Sequence, residues 1–136
     1  MNDELRELYQ QVILDHSRKP RNHGEITDGA VHVHGDNPSC GDEIDLYVKF
    51  AADGKIEDIK FSGSGCAISQ ASASLLTDEV KGKPAEAVAG FGADDLLELL
   101  GIEISPARLK CAMLSFESLQ HLLDEAGIKP LVKSSG

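Results

Sequence analysis

Leu5, Leu8, Tyr9, Val12, Ile13 and His16 recur three and four positions apart, the spacing that turns one face of an α-helix toward a core. Pro20 has no amide hydrogen to give to a helical ladder, so this helix is expected to stop before it. The segment KPRNHGE that follows has the proline, asparagine and glycine of a loop. The period then shortens to two: Val31 and Val33 alternate with His32 and His34, and Ile44, Leu46, Val48 and Phe50 alternate with Glu43, Asp45, Tyr47 and Lys49. Such alternation belongs to strands with one wet face. Asp53-Gly54 separates the second run from KIEDIKFSG, which predicts an antiparallel hairpin. Past Gly63 and Gly65 the helical spacing returns at Ile68, Ala71, Ser72, Leu75 and Leu76, from about Cys66 until KGKP ends it. AEAVAG and DDLLELLG suggest two short helices joined at Gly90 to Gly92. Ser105-Pro106 is an N-cap and first-turn pair for a final, longer helix with the apolar stripe Leu109, Met113, Phe116, Gln120 and Leu123.

The order helix, three strands, helices predicts an α+β fold: a small three-stranded antiparallel sheet covered on one face by helices. No repeat, low-complexity linker or break in composition divides the chain, so a single domain is expected over 1–126, with a loose tail over 127–136 where periodicity stops. A chain of 136 residues, 41% of them hydrophobic, is enough for one core. Thirteen Lys and Arg against 23 Asp and Glu leave a net charge of -10. That field repels phosphate backbones and anionic bilayers, so neither nucleic acid nor a membrane is an expected partner. No apolar run approaches a membrane span, and MNDELRELYQ is acidic where a signal peptide is basic and then apolar, which makes a cytoplasmic location the expectation. Three cysteines, an odd count, argue against a disulfide framework and for metal or thiol chemistry.

Cys40 lies in DNPSCGDE, an expected exposed turn, and Cys66 in GSGCAIS, a glycine-rich entry to a helix. Thiols at such places ionise readily, because helix amides favour the thiolate and glycines leave room for a metal or substrate. Cys111 falls outside the stripe of Leu109, Met113 and Phe116 and is expected to face off the core. Asp42 stands two residues after Cys40, and in extended chain these point the same way. Three thiolates and one carboxylate complete four-coordination for zinc, or ligate an iron-sulfur cluster with one hard oxygen. The plainer role for Asp42 is a turn or cap residue. No CxxC pair is present, which disfavours a permanent structural metal or an electron carrier. His32 and His34 share a strand face, where solvated side chains are commoner than ligands. GSGC lacks the Gly-Lys-Ser/Thr ending of a phosphate loop. Two other classes fit parts of the pattern: a cysteine hydrolase with Cys66 as nucleophile and one of five histidines as base, and a zinc-stabilised binding module.

The chain resembles the IscU/SufU family of iron-sulfur cluster assembly proteins, the NifU N-terminal domain type. The resemblance runs through LYQQVILDHSRKPRNHGEI, DNPSCGDEIDLYVKF, IKFSGSGCAISQASASLLTDEVKGK and PARLKCAMLSFESL, in the family's order. It implies an α+β fold whose metal site, at one end, is made of Cys40, Asp42, Cys66 and Cys111, holding zinc or a nascent [2Fe-2S] cluster. It implies a pyridoxal-phosphate-dependent cysteine desulfurase as sulfur donor, and apo iron-sulfur proteins or a downstream scaffold as recipients. The principal function implied is that of a scaffold, mainly non-enzymatic; the alternative is a zinc-dependent sulfurtransferase of the SufU type that relays persulfide sulfur. Cys40 is the implied sulfur acceptor in the zinc branch and Cys111 in the scaffold branch. Scaffold members carry a histidine before the last cysteine and a Leu-Pro-Pro-Val-Lys stretch that a dedicated chaperone grips. Here Lys110 precedes Cys111 and the stretch reads ISPARLKC, which removes the basis for expecting that chaperone and is similar to the ARxKC pattern of the SufU branch. The insertion of about twenty residues usual between the second and third cysteines of that branch is missing.

Overall fold

The structure, a computed structural model, describes residues 3–37, 41–101, 104 and 106–128. Helix α1 spans Asp3–Arg18 and ends where Pro20 demands. Strands β1 (Val31–Asn37), β2 (Asp42–Phe50) and β3 (Ile56–Ser64) form an antiparallel sheet in the order β1-β2-β3. Helices α2 (Ala67–Val80), α3 (Ala85–Ala89), α4 (Ala93–Leu100) and α5 (Pro106–Glu125) follow. This is the α+β architecture expected, down to the hairpin around Asp53-Gly54 and the paired short helices.

The period of two sets the sheet's orientation. Ile44, Leu46 and Val48 of β2 are buried, as are Ile59 and Phe61 of β3, and all belong to the core shared with the helices. Leu46 faces Val33 on one side and Phe61 on the other, so a one-residue slip would turn this whole row to solvent. Glu43, Asp45, Tyr47 and Lys49 form the opposite, wet face, where Lys49 and Glu57 pair at 3.5 Å.

Two helices depart from what their spacing predicts. α2 is buried on most of its surface, at Ser69, Ala71, Ser72, Ala73, Ser74, Leu76, Thr77 and Val80. It is the central helix, packed against α1, α5 and β3. Small side chains let its neighbours approach, and its hydroxyls find acceptors: Ser72 Oγ donates to the Ala112 carbonyl of α5, and Thr77 Oγ1 donates to the Ala73 carbonyl at 2.8 Å. In α5 the expected stripe is met only in part. Leu123 is buried and Met113 and Phe116 pack half-buried against the core, but Leu109 is 39% exposed, and the buried face also takes in Cys111, Ala112, Leu114, Ser115, Ser118, Leu119 and Leu122. Alanine, serine and cysteine hide part of that face from a count of large apolar residues. Cys111, expected off the core, is 2% exposed. Gly127 and Ile128, assigned by sequence to the tail, close α5: the Ile128 amide donates to the Leu123 carbonyl and the Gly127 amide to that of Asp124. The rest of that tail, 129–136, and Ser105 lie outside the described residues, and among the described residues no helix is long and apolar enough to cross a membrane.

Candidate metal centre

The site forms where β2 begins, β3 ends and α2 starts. The register pairs Glu43 with Ser64, so Asp42 arrives beside Gly65 and Cys66 at the mouth of α2. Cys66 is the N-cap residue, extended at φ -73 and ψ 172, and offers no side-chain cap of its own. Asp42 supplies one from across the sheet: its Oδ1 accepts the Cys66 amide at 3.1 Å. A carboxylate at a helix N-terminus is also favoured by the helix dipole. Packing of α5 on α2 then brings in Cys111. One ligand atom each from Asp42, Cys66 and Cys111 lies within 4.8 Å of the others, with Asp42 and Cys111 buried and Cys66 half-buried.

The carboxylate is only half satisfied. Asp42 is 2% exposed, and its Oδ2 is buried with no hydrogen-bond partner among the described residues. An ionised oxygen left so costs upward of about 1–3 kcal/mol, a penalty that a cation would remove. Two sulfurs and one carboxylate oxygen are a donor set that suits zinc, and the unpaired oxygen fits the residues for a metal. The cap role of Asp42 is thus observed at Oδ1, and it does not use Oδ2.

The glycines of GSGC have steric reasons. A Cβ on Gly63 would stand 2.2 Å from the Glu43 carbonyl oxygen, and that glycine has φ +135. A Cβ on Gly65 would stand 2.8 Å from Asp42 Oδ1 and 2.9 Å from Ser69 Oγ. Gly65 and the buried Ser69 are therefore walls of the site that the sequence did not single out; the glycine run was the available signal. The site is also more enclosed than its loop-like neighbourhoods suggest, because two of its three described side chains are buried.

Cys40 lies outside the described residues; near it, the Gly41 amide donates to the Asn37 carbonyl at 2.8 Å. The histidines are engaged elsewhere. His32 Nε2 and His34 Nδ1 share Asp45 Oδ1 at 2.8 and 3.0 Å on the wet sheet face. Those hydrogen bonds, that of His32 first, hold the Asp45 carboxyl below its usual range, and Asp45 raises the His34 pKa. His16 meets Ser74, His23 packs edge-on against Phe61, and His121 pairs with Glu125. Each of the five histidines thus has a partner other than Cys66.

The chain matches the family described as the NifU-like N terminal domain over residues 8–127. It is 42% identical to a zinc-dependent sulfurtransferase, SufU, of Bacillus subtilis (strain 168), covering 88% of this chain and 91% of that protein. It is 39% identical to an iron-sulfur cluster assembly scaffold protein, IscU, of Streptococcus pyogenes serotype M1, covering 89% and 92%. Among solved structures it is similar to one described as an iron-sulfur cluster assembly scaffold protein for the SUF system from Fervidobacterium Islandicum AW-1, with TM-score 0.69 and 32% identity over 85% of this chain and 96% of that one.

Proposed function

This chain belongs to the NifU-like N-terminal domain family, and from that premise we propose that it is an iron-sulfur cluster assembly protein, accepting sulfur from a cysteine desulfurase and building a [2Fe-2S] cluster for transfer. The observation that carries the reading is the close group of Asp42, Cys66 and Cys111, whose carboxylate has a buried oxygen without a partner among the described residues. In this reading Cys40 completes the set, and the cluster is cargo. One hard oxygen among thiolates makes a bound metal easier to exchange than four thiolates would, as suits a scaffold that must release what it builds. Apo iron-sulfur proteins or a downstream scaffold are the recipients.

Sulfur arrives by thiol exchange. A thiolate of this chain attacks the outer sulfur of the desulfurase persulfide, its S–S bond breaks, the donor cysteine leaves as a thiolate and the acceptor becomes the persulfide. Cys40 and Cys111 are the proposed acceptors.

The sulfurtransferase reading stands beside this one because the Bacillus subtilis relative is named as zinc-dependent and because Arg108 and Lys110 precede Cys111 as in the SufU pattern. Asp42, Cys66, Cys111 and Cys40 would hold the zinc, which when bound keeps thiols ionised at neutral pH. Zinc, iron and acid-labile sulfide per chain, measured in protein isolated without oxygen and again after incubation with a desulfurase, cysteine, ferrous iron and a thiol reductant that supplies the electrons taking persulfide sulfur to sulfide, separate the two. Iron with matching sulfide is the expected result for the scaffold; one zinc without sulfide, with persulfide passed onward, means the relay. A chain that takes up neither metal and accepts no sulfur overturns both.

A further inference from the structure

A second charged feature lies away from the metal centre, toward the other end of α2. Ser74 is eight positions beyond Cys66, about 12 Å along the helix axis. Beside it is a cavity of about 560 Å³ lined, among the described residues, by Asp15, His16, Arg18, Lys19 and Arg21. In a chain of net charge -10, three cations within four positions stand out. Arg18 is ordinary at the C-terminus of α1, where a cation complements the helix dipole. Arg21 has no such reason, since it follows Pro20 and is fixed by tertiary contacts.

Those contacts make a frame. The Arg21 amide donates to Ser74 Oγ at 2.8 Å, and the same hydroxyl meets His16 Nδ1 at 2.7 Å. Asn22, at φ 59, donates through Nδ2 to Thr77 Oγ1 at 3.2 Å, while its carbonyl accepts the Phe61 amide at 2.9 Å. The segment is thus tied to α2 and to β3 at once, and its cations are carried on an ordered backbone. Burial and the nearby Arg21 push the His16 pKa down, so at neutral pH it adds a ring nitrogen and no charge. Among the described residues the opposing carboxylates are Asp15, in the lining, and Asp78, which meets Arg21 at 3.6 Å with both side chains more than half exposed. A pair that open leaves the guanidinium able to take another partner.

We propose that this cavity binds a small multivalent oxyanion, a phosphate ester or a polycarboxylate, held by Arg18, Lys19 and Arg21 with His16 beside them. Guanidinium forks match the paired oxygens of carboxylate and phosphate, and the volume falls within the range of small-ligand pockets. The site is independent of the metal reading and persists if that reading fails.

The test is a titration of the full chain, followed by NMR, with pyrophosphate and with tricarballylate in separate arms at physiological salt. Saturable shifts centred on 15–21 are expected with at least one of the two, and the arm that saturates tells phosphate from carboxylate. The double variant Arg18→Gln, Arg21→Gln should weaken binding at least about tenfold, the scale for charge-assisted bonds, while Lys55→Gln, an exposed cation elsewhere, should not. No saturable shift in either arm overturns the site, as do shifts centred on Asp42, Cys66 and Cys111, or equal weakening by Lys55→Gln. Should the double variant fail to fold, the wild-type shift map decides alone.

Discussion

At the residue scale Asp42 carries two roles that one substitution separates. Asparagine keeps an oxygen to cap the Cys66 amide and replaces Oδ2, which has no partner among the described residues, by an amide group that cannot bind a cation. Asp42→Asn is therefore expected to leave the metal-free fold as stable or about 1 kcal/mol more so, and to weaken zinc binding at least about tenfold. Denaturant melts with and without zinc check both halves, and a loss of stability with unchanged zinc affinity would make Asp42 a cap alone. His16 gives a second residue-level outcome. Its folded pKa is lowered, chiefly by burial, so the unfolded chain takes up the proton first. Stability linked to His16 is complete above its ordinary value of 6.5 and is lost as the pH falls from there toward the folded value. His34, raised by Asp45, has the opposite sign: its contribution is present below 6.5 and lost as the pH rises through the folded value. The fall in melting temperature from neutral to mildly acidic pH should be shallower in His16→Gln than in the native chain. Parallel curves would locate the linkage elsewhere.

At the element scale the site depends on how closely three elements approach. Gly65→Ala would drive a methyl group toward Asp42 Oδ1 and Ser69 Oγ, so it should displace the carboxylate and lower metal affinity while the sheet and helices, read by circular dichroism, persist. Ser72→Ala acts on the other wall. The hydroxyl ties α2 to the carbonyl of Ala112, next to Cys111, and its loss should cost about 1 kcal/mol in denaturant melts and loosen the placing of that thiol. Here the sequence was least legible. Large apolar residues in α5 point to the stripe Leu109, Met113, Phe116 and Leu123, of which Leu123 is buried, Met113 and Phe116 are half-buried and Leu109 is exposed, yet the packed face also bears Cys111, Ala112, Ser115 and Ser118. A hydrophobic period registers volume, and close helix packing on α2 selects for its absence.

At the scale of the whole molecule, the described candidate ligands lie in β2, at the N-cap of α2 and in α5, so a metal bound there would tie together segments far apart in the chain. Zinc at a hundredfold excess over its dissociation constant should add about 2.7 kcal/mol to the unfolding free energy, an increment that a chelator reverses and that Asp42→Asn and Gly65→Ala reduce. Thermal melts with and without chelator test this. The sequence by itself determined the elements, their order, the wet and dry faces of the sheet and the residue types of the site, because a period of two or 3.6 and a cysteine beside glycine are local facts. Only the tertiary structure decided that Cys111 turns inward, that one carboxylate caps a helix with one oxygen and leaves the other without a partner among the described residues, and that the Arg21 amide is tied to Ser74 of α2. Each of these follows from which surfaces meet across long stretches of chain, and those meetings are set by the closeness of packing that small side chains permit and no local period records.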